Sequence, residues 1–437
     1  MDTQDLAQFD AVKDALGLPE QAECWRATWS ATQAAYEKEC SAFLDAKAVR
    51  AACEFVRMSD EPQEAIEAHR AAFDDNAALK RLAFHCAFLF HRHEEKGLDK
   101  HTEWPMLPEA LGPVAHLFYA YVLLAGIDPL RFRHHRTGVP YEITVDTLQD
   151  IERWMIEYKR RHGVWGFSEM NWLGAHFEGR LYELGRLQFE IRRYRYNYHF
   201  FRDTIEDRVV AFAPEGERFR TDGQVDGVNG IRDEEAWEAH YHVGHKIIRG
   251  NPVTPNGRAI REMVSLPTVQ WEPVLKPGAP SLGVFIPEGE SITPEACNEA
   301  FVRANGFFAM YFPDHEFKCF ETDTWLLDHQ LESHLPPDSN IIRFMRNFYV
   351  LPSPDASDEQ LLDRVFHGQF TGIDSAPRET TLQRAIVEHM AHGGHWRTAL
   401  GVIFPEDIEK GPAFYREKAL GTPWSVIDEA PHGAGAE

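Results

Sequence analysis

Near residue 165 the hydrophobic pattern of this chain changes period, and that change limits the possible folds more than any other feature. Upstream, Leu79, Leu82, Cys86 and Leu89 recur at helical spacing, with Asn76 placed as an N-cap and Gly97 as a stop. Leu148, Ile151, Met155 and Tyr158 repeat the pattern behind a capping-box-like run, Thr147-Leu148-Gln149-Asp150. Downstream, short β-type runs alternate with turn residues. Strands are expected at 207–212 and 282–286, a helix at 294–311, a strand at 317–327 and a helix at 340–348. A last helix at 381–392 leads into a strand at 398–404, and the glycine- and proline-rich stretch 216–279 reads as a long irregular connection with one short helix near 234–240. The expected class is α+β: a helical domain over 1–165 packed on a mixed α/β domain over 166–437.

A length of 437 residues allows about three domains or two larger ones, and 43% hydrophobic content is ample for packed cores. The net charge of −24 argues against nucleic acid or an anionic membrane as partner. The six cysteines are widely spaced, with no C-x-x-C pair, and suit buried free thiols in the cytoplasm. The N-terminus has neither a basic nor an apolar signal region, and the longest apolar run, 114–127, is shorter than the roughly 20 residues of a membrane span. The tail, 433–437, is expected to fray.

Just past the change of period stand two Gly-Arg-Leu triplets six residues apart, Gly179-Arg180-Leu181 and Gly185-Arg186-Leu187. The run Arg192-Arg193-Tyr194-Arg195-Tyr196-Asn197-Tyr198 follows, alternating aromatic with basic or amide residues as a pleated strand would. Repeated glycine marks special backbone geometry or close approach. Segment 179–190 resembles the signature of a bacterial acyltransferase family with a helical N-terminal domain and a GNAT-like C-terminal domain. The resemblance continues through Gly250-Asn251-Pro252, 271–275, 283–289, Trp325-Leu326-Leu327-Asp328, 335–341 and 381–385, over roughly residues 120–416. The family usually carries His where this chain has Phe285, and Cys and Ser where it has Thr322 and Thr324.

The resemblance implies transfer of an acyl group from acyl-CoA, or from a carrier-protein thioester, to an amine by direct attack. Such enzymes hold the donor's pyrophosphate on backbone N–H groups at a helix N-terminus. Here the loop Pro287-Glu288-Gly289-Glu290-Ser291-Ile292, with Thr293 as N-cap and Pro294 at the first helical position, is the candidate. Val284, Phe285 and Ile286 would meet the pantetheine amides, and Gly289, Ser291 and Thr293 the phosphates. Asn340, with Phe344 and Tyr349, would flank the carrier, although Ser339-Asn340 is equally a plain cap. Against this site, the usual Gln/Arg-x-x-Gly-x-Gly run is absent and Glu288, Glu290 and Glu295 would repel phosphate. Arg192, Arg193 and Arg195 offer compensating charge. Glu190 is the candidate base and Tyr196, beside Tyr194 and Tyr198, the acid for the leaving thiolate. Arg186 and Gln188 alternate with Glu190, so all three are expected on one strand face, as a catalytic stripe or a buried structural network.

Two other readings stay open. One is a non-catalytic GNAT-like ligand-binding protein, consistent with Phe285, Thr322, Thr324 and the acidic loop. The other is a metalloenzyme using His389, His392 and His395, or His240, His242 and His245. Glycine at 393 and 394 breaks the first group, no H-E-x-x-H is present, and no metal is expected.

Overall fold

The computed structural model describes residues 3–98 and 103–425, so the tail segment 433–437 lies outside the described residues. The chain divides into two compact units, residues 1–184 and 185–437. The first is helical as far as Met170–Phe177 and ends in strand β1 (Leu181–Leu184). Its centre is the helix Ala77–Arg92, opened by Asn76, whose side chain accepts from Leu79 N at 3.1 Å. A short 3-10 turn then carries the chain to Gly97 at φ +59°. The helix Pro113–Leu124 is buried on nearly all sides. Together with the helix Ile127–Thr137 that follows, the stretch Pro113–Thr137 is long and apolar enough to cross a membrane. However, 72% of its most apolar window is buried inside the protein, as befits a core helix.

The capping box expected at Thr147 does not form. Thr147 lies inside the helix Tyr141–Leu148, donates to Ile143 O at 2.6 Å and accepts from Glu183 N at 2.9 Å. A separate helix, Asp150–His162, starts behind it. Asp150 itself is buried and accepts from Trp172 Nε1 at 2.6 Å and Arg153 Nη1 at 3.1 Å, with His176 Nε2 at 3.1 Å. Burial alone would raise its pKa, but these partners outweigh it and hold the carboxyl down at about 2.

The second unit is built on strands β2 (Leu187–Arg193), β3 (His199–Asp203), β4 (Val209–Phe212), β5 (Arg218–Phe219), β6 (Trp237–Glu238), β7 (Tyr241–Val243) and β8 (Ile247–Gly250). They continue as β9 (Pro252–Thr254), β10 (Arg258–Ala259), β11 (Val264–Pro267), β12 (Trp271–Leu275), β13 (Pro280–Phe285), β14 (Cys319–Thr324), β15 (Tyr349–Pro352) and β16 (Ala399–Ile403). Within this unit the main sheet runs β2-β13-β14-β16-β15. All its pairings are antiparallel except β13 with β14, which the crossover helix Pro294–Tyr311 joins in parallel. One face packs on that helix, where Phe301 meets Phe189 at 5.8 Å and Phe320 at 5.0 Å. On the other face, Tyr349, Leu351, Leu400 and Val402 share a core with Phe200, Val209, Ala211 and Leu275 of a second sheet, β10-β9-β4-β3-β12.

The stretch 216–279 is therefore not an irregular connection, and no helix forms near 234–240, where β6 pairs with β5. Its strands are two to five residues long, and proline sits inside β9, β11 and β12. Pro273 stands at a break of register in β12, the place a sheet tolerates proline. The expected strand at 317–327 ends at Thr324 and turns into a 3-10 segment, and the helix at 340–348 is only Asn340–Met345. β15 and the helix Glu359–Phe366 had no counterpart in the sequence reading.

Candidate active site

The parallel pair at the middle of the main sheet comes apart. β13 and β14 are in register at Ser281–Cys319, Leu282–Phe320 and Gly283–Glu321, and no further. Beyond that point β13 follows β2, through Val284–Phe189 and Phe285–Gln188. β14 instead follows β16, through Thr322–Gly401 to Thr324–Ala399. A cleft thus opens at the carboxyl ends of two parallel strands, where open α/β sheets place their ligands. Directly after β13, the loop Ile286–Ile292 leads into the crossover helix. Thr293 caps it, accepting from Ala296 N at 3.3 Å, and Pro294 takes the first turn. Gly289 and Ser291 are exposed in the loop, Ile286 is half-buried, and Gly289 stands at φ +130°, a region side chains rarely adopt.

Strand alternation sorts the candidate residues by face. Gln188 and Glu190 do share one face, opposite Phe285 and Gly283. Arg186 does not join them on the strand: it lies in the turn with Gly185, at φ +78°, before β2 begins. Its charge acts on Cys297 in the first turn of the crossover helix. Glu190 is one strand away from the cleft, since β13 stands between β2 and β14. Asn340 is half-buried, in the first turn of its short helix. Phe344 and Tyr349 are core residues, with the Tyr349 hydroxyl bonded to Val253 O, so neither flanks a ligand.

The sequence reading missed what faces the cleft from β14. Glu321 and Asp323 alternate there with Thr322 and Thr324, so two carboxylates share the polar face. Glu321 is fully buried. Arg192 Nε lies 2.8 Å from its Oε1 and Ser281 Oγ donates to it at 3.1 Å. The guanidinium can lie there because Gly283 has no side chain. A Cβ built at that position would come within 2.3 Å of Arg192 Nε. Arg192 also sits 5.4 Å over the Phe285 ring. Burial pushes the pKa of Glu321 and of Asp323 above the ordinary carboxylate range. A period-two carboxylate pair inside the otherwise uncharged run Cys319-Phe320-Glu321-Thr322-Asp323-Thr324 was the available signal.

The run 192–198 is not one pleated strand: β2 ends at Arg193, and residues 194–198 cross this face as irregular chain before β3. Tyr194 is fully buried near Cys319 and Glu321, and Tyr198 donates to Pro352 O at 2.7 Å, so both are structural. Tyr196 lies between them near Asp323, accepts from Arg195 Nη2 at 3.4 Å, and burial raises its pKa to about 12. It therefore keeps its proton at neutral pH. Arg193 is exposed and donates to Gly278 O, and Arg192 is committed to Glu321. Arg195, also exposed, is the one of the three that borders a depression on this face. With Asp323, Asp355, Ser357, Glu359, Gln360, Asp363 and Thr398 it lines a depression of about 440 Å³.

The histidines expected to compete as metal ligands are held separately. His395 Nδ1 lies 2.8 Å from Asp358, His392 Nδ1 lies 2.8 Å from Glu388 O, and the His389 ring packs on Trp396 at 4.5 Å. His240 faces Glu215 at 3.4 Å, and His242 and His245 are exposed.

Comparison with known families finds an N-acyltransferase N-terminal domain over residues 47–179 and a GNAT-like C-terminal domain over residues 181–403. No curated protein matches the chain. Similar solved structures include an acyltransferase in complex with decanoyl-CoA and teicoplanin, at 23% identity and a TM-score of 0.61. An acyltransferase mutant with octanoyl-CoA gives 23% and 0.60, and an acyltransferase with CoA and 10C-teicoplanin gives 24% and 0.59. Each alignment covers 92% of this chain and 99% of the other. At such identities the likeness is one of fold.

Proposed function

The chain belongs to the N-acyltransferase family with a GNAT-like C-terminal domain, and from that premise we propose that it moves an acyl group from acyl-CoA to an amine without a covalent enzyme intermediate. The observation that carries this reading is the parting of β13 from β14 directly above a capped crossover helix. The gap accepts an extended pantetheine arm along Val284–Ile286. The N–H groups between Gly289 and Thr293, at the positive end of an 18-residue helix, favour the pyrophosphate. Arg186, whose charge is felt at the first turn of that helix, offsets the acidic Glu288, Glu290 and Glu295. The helix that carries Asn340 reaches the same end through Arg343, which lies 3.6 Å from Glu295. Tyr196 keeps the proton that a departing thiolate needs, and Gln188 and Glu190 lie on the same sheet face one strand away. The comparison structures hold decanoyl-CoA, octanoyl-CoA and teicoplanin, which supports a medium-chain donor and an amine on a small molecule or peptide as acceptor. Six free cysteines suit a cytoplasmic enzyme.

Thiol release from decanoyl-CoA, with and without amines, tests this. Amine-dependent release with amide formation is expected. Binding of decanoyl-CoA without turnover of any amine would leave a ligand-binding module, and no binding at all would favour a carrier-protein thioester as donor.

A further inference from the structure

Resting on that reading, the geometry points to Asp323 as the group that takes the proton from the acceptor amine. The acceptor would arrive as an ammonium through the depression bounded by Asp355, Glu359 and Asp363. Three observations converge on Asp323. It stands on β14 two residues past the last contact with β13, so it belongs to the strand that borders the cleft. Its side chain lines the open depression, with Thr398, just before β16, as its hydrogen-bond partner and Oδ1 buried without one. On the same strand face Glu321 is fully buried, with Oε2 also lacking a partner. Unpaired carboxylate oxygens out of contact with water are costly unless a donor arrives, and an ammonium is such a donor. Glu190 cannot compete for this proton, because β13 separates it from the gap.

The charges around Asp323 are mixed in a useful way. Arg195 and Tyr196 face it from the segment crossing the sheet, Arg192 from β2, Glu321 from its own strand and Asp355 from the loop after β15. Burial raises its pKa, and Thr398 and the arginines work against that rise, so the carboxyl takes up a proton more readily than an exposed one. The acidic wall concentrates cations at the mouth and excludes a second anionic thioester.

The step balances as follows. The ammonium gives one proton to Asp323, which passes it to solvent. The neutral nitrogen attacks the thioester carbonyl carbon, forming the C–N bond, and the C–S bond breaks. The thiolate takes the Tyr196 proton, and the second nitrogen proton restores the phenol. Acyl-CoA and the ammonium become amide, free thiol and one released proton.

The test uses the full chain, decanoyl-CoA and a panel of spermidine, glucosamine, teicoplanin and a neutral aromatic amine. Asp323→Asn should lower kcat at least 100-fold at pH 8 and remove the rising limb of the pH–rate profile, while calorimetric affinity for decanoyl-CoA stays within threefold. Asp323→Glu should recover part of the rate and of the limb. Asp355→Asn with Glu359→Gln should raise the KM of the cationic acceptor about tenfold and flatten its salt dependence. An Asp323→Asn enzyme within threefold of wild type with an unchanged limb overturns the assignment. So does a wild type that prefers the neutral amine, or one that binds decanoyl-CoA yet accepts no cationic amine. A wild type that does not bind decanoyl-CoA removes the donor reading itself, and the assignment with it.

Discussion

Replacing Gly283 by alanine tests whether the buried pair Arg192–Glu321 depends on the bare backbone beneath it. The added Cβ would lie 2.3 Å from Arg192 Nε and 2.5 Å from Cζ, so the guanidinium must move. It can, because Arg192 is 20% exposed and its chain is flexible, whereas Glu321 is fully buried and cannot follow. Glu321 would be left with Ser281 Oγ at 3.1 Å as its remaining donor. Removing one partner of a buried pair costs about 3–5 kcal/mol, and we expect the lower end, about 3 kcal/mol, at pH 8. The sign with pH follows from the direction of the shift. Burial already raises the pKa of Glu321, so its contribution to stability is most favourable below the ordinary carboxylate range and is lost as pH rises through the folded value. Without arginine that value rises further. The destabilisation should therefore shrink as the medium is acidified, by up to about 1.4 kcal/mol per pH unit once the carboxyl protonates. Urea unfolding of wild type and Gly283→Ala at pH 8 and pH 5 reads this directly. Equal destabilisation at both values would mean that the cost is steric, and the ion-pair argument would fail. In an Arg192→Met background, where the pair is already broken, Gly283→Ala should cost under 1 kcal/mol.

Phe301→Ala, in the crossover helix, removes a 3%-exposed ring packed on Phe189 and Phe320 and should cost about 3–5 kcal/mol in chemical denaturation. Thr293→Ala removes the cap of the same helix and should cost about 1 kcal/mol, with a further loss of acyl-CoA affinity if the helix end holds the pyrophosphate. In the first unit, Asp150 is held near 2 against an ordinary 3.8, so it adds about 2 kcal/mol that is complete above pH 4 and lost between about pH 4 and pH 2. Asp150→Asn should be less stable at pH 6 and show a flatter decline over that range, read by thermal unfolding.

The elements that sequence revealed were those whose signal is local. Asn76, Thr293 with Pro294, and the long apolar periodicity each declare a helix within a few residues, and the structure places helices there. The β-strands of 216–279 were invisible because strands of two to five residues, several interrupted by proline, have too little length to show alternation. What joins them is pairing with distant partners, as when Val253 meets Ala211. The same limit governed the site. The polar alternation of Gln188 and Glu190 was legible, but which strand borders the cleft depends on β13 and β14 parting after Gly283, a long-range fact. Polar alternation alone points to Glu190, whereas Asp323 stands on β14 past its last pairing with β13.

That geometry also bears on Phe285, Thr322 and Thr324, where the resemblance implies His, Cys and Ser. Thr322 and Thr324 alternate with Glu321 and Asp323, so they face away from the polar surface. Thr322 is 2% exposed on the side of the crossover helix, and the Thr324 hydroxyl accepts from Leu326 N at 3.3 Å to turn the chain after β14. Replacing Cys and Ser there alters packing and a turn, not the groups at the cleft. Phe285 is on the polar face, but its ring lies under the Arg192 guanidinium and helps hold the cation that balances Glu321. An imidazole at 285 would bring a titratable group to this spot. The phenyl ring removes that option, and on the proposed mechanism proton transfer falls to Asp323 of β14. The donor side then rests on backbone, on a strand edge and a helix end, which tolerate such exchanges. The acceptor side rests on individual side chains, and there a single substitution should be felt.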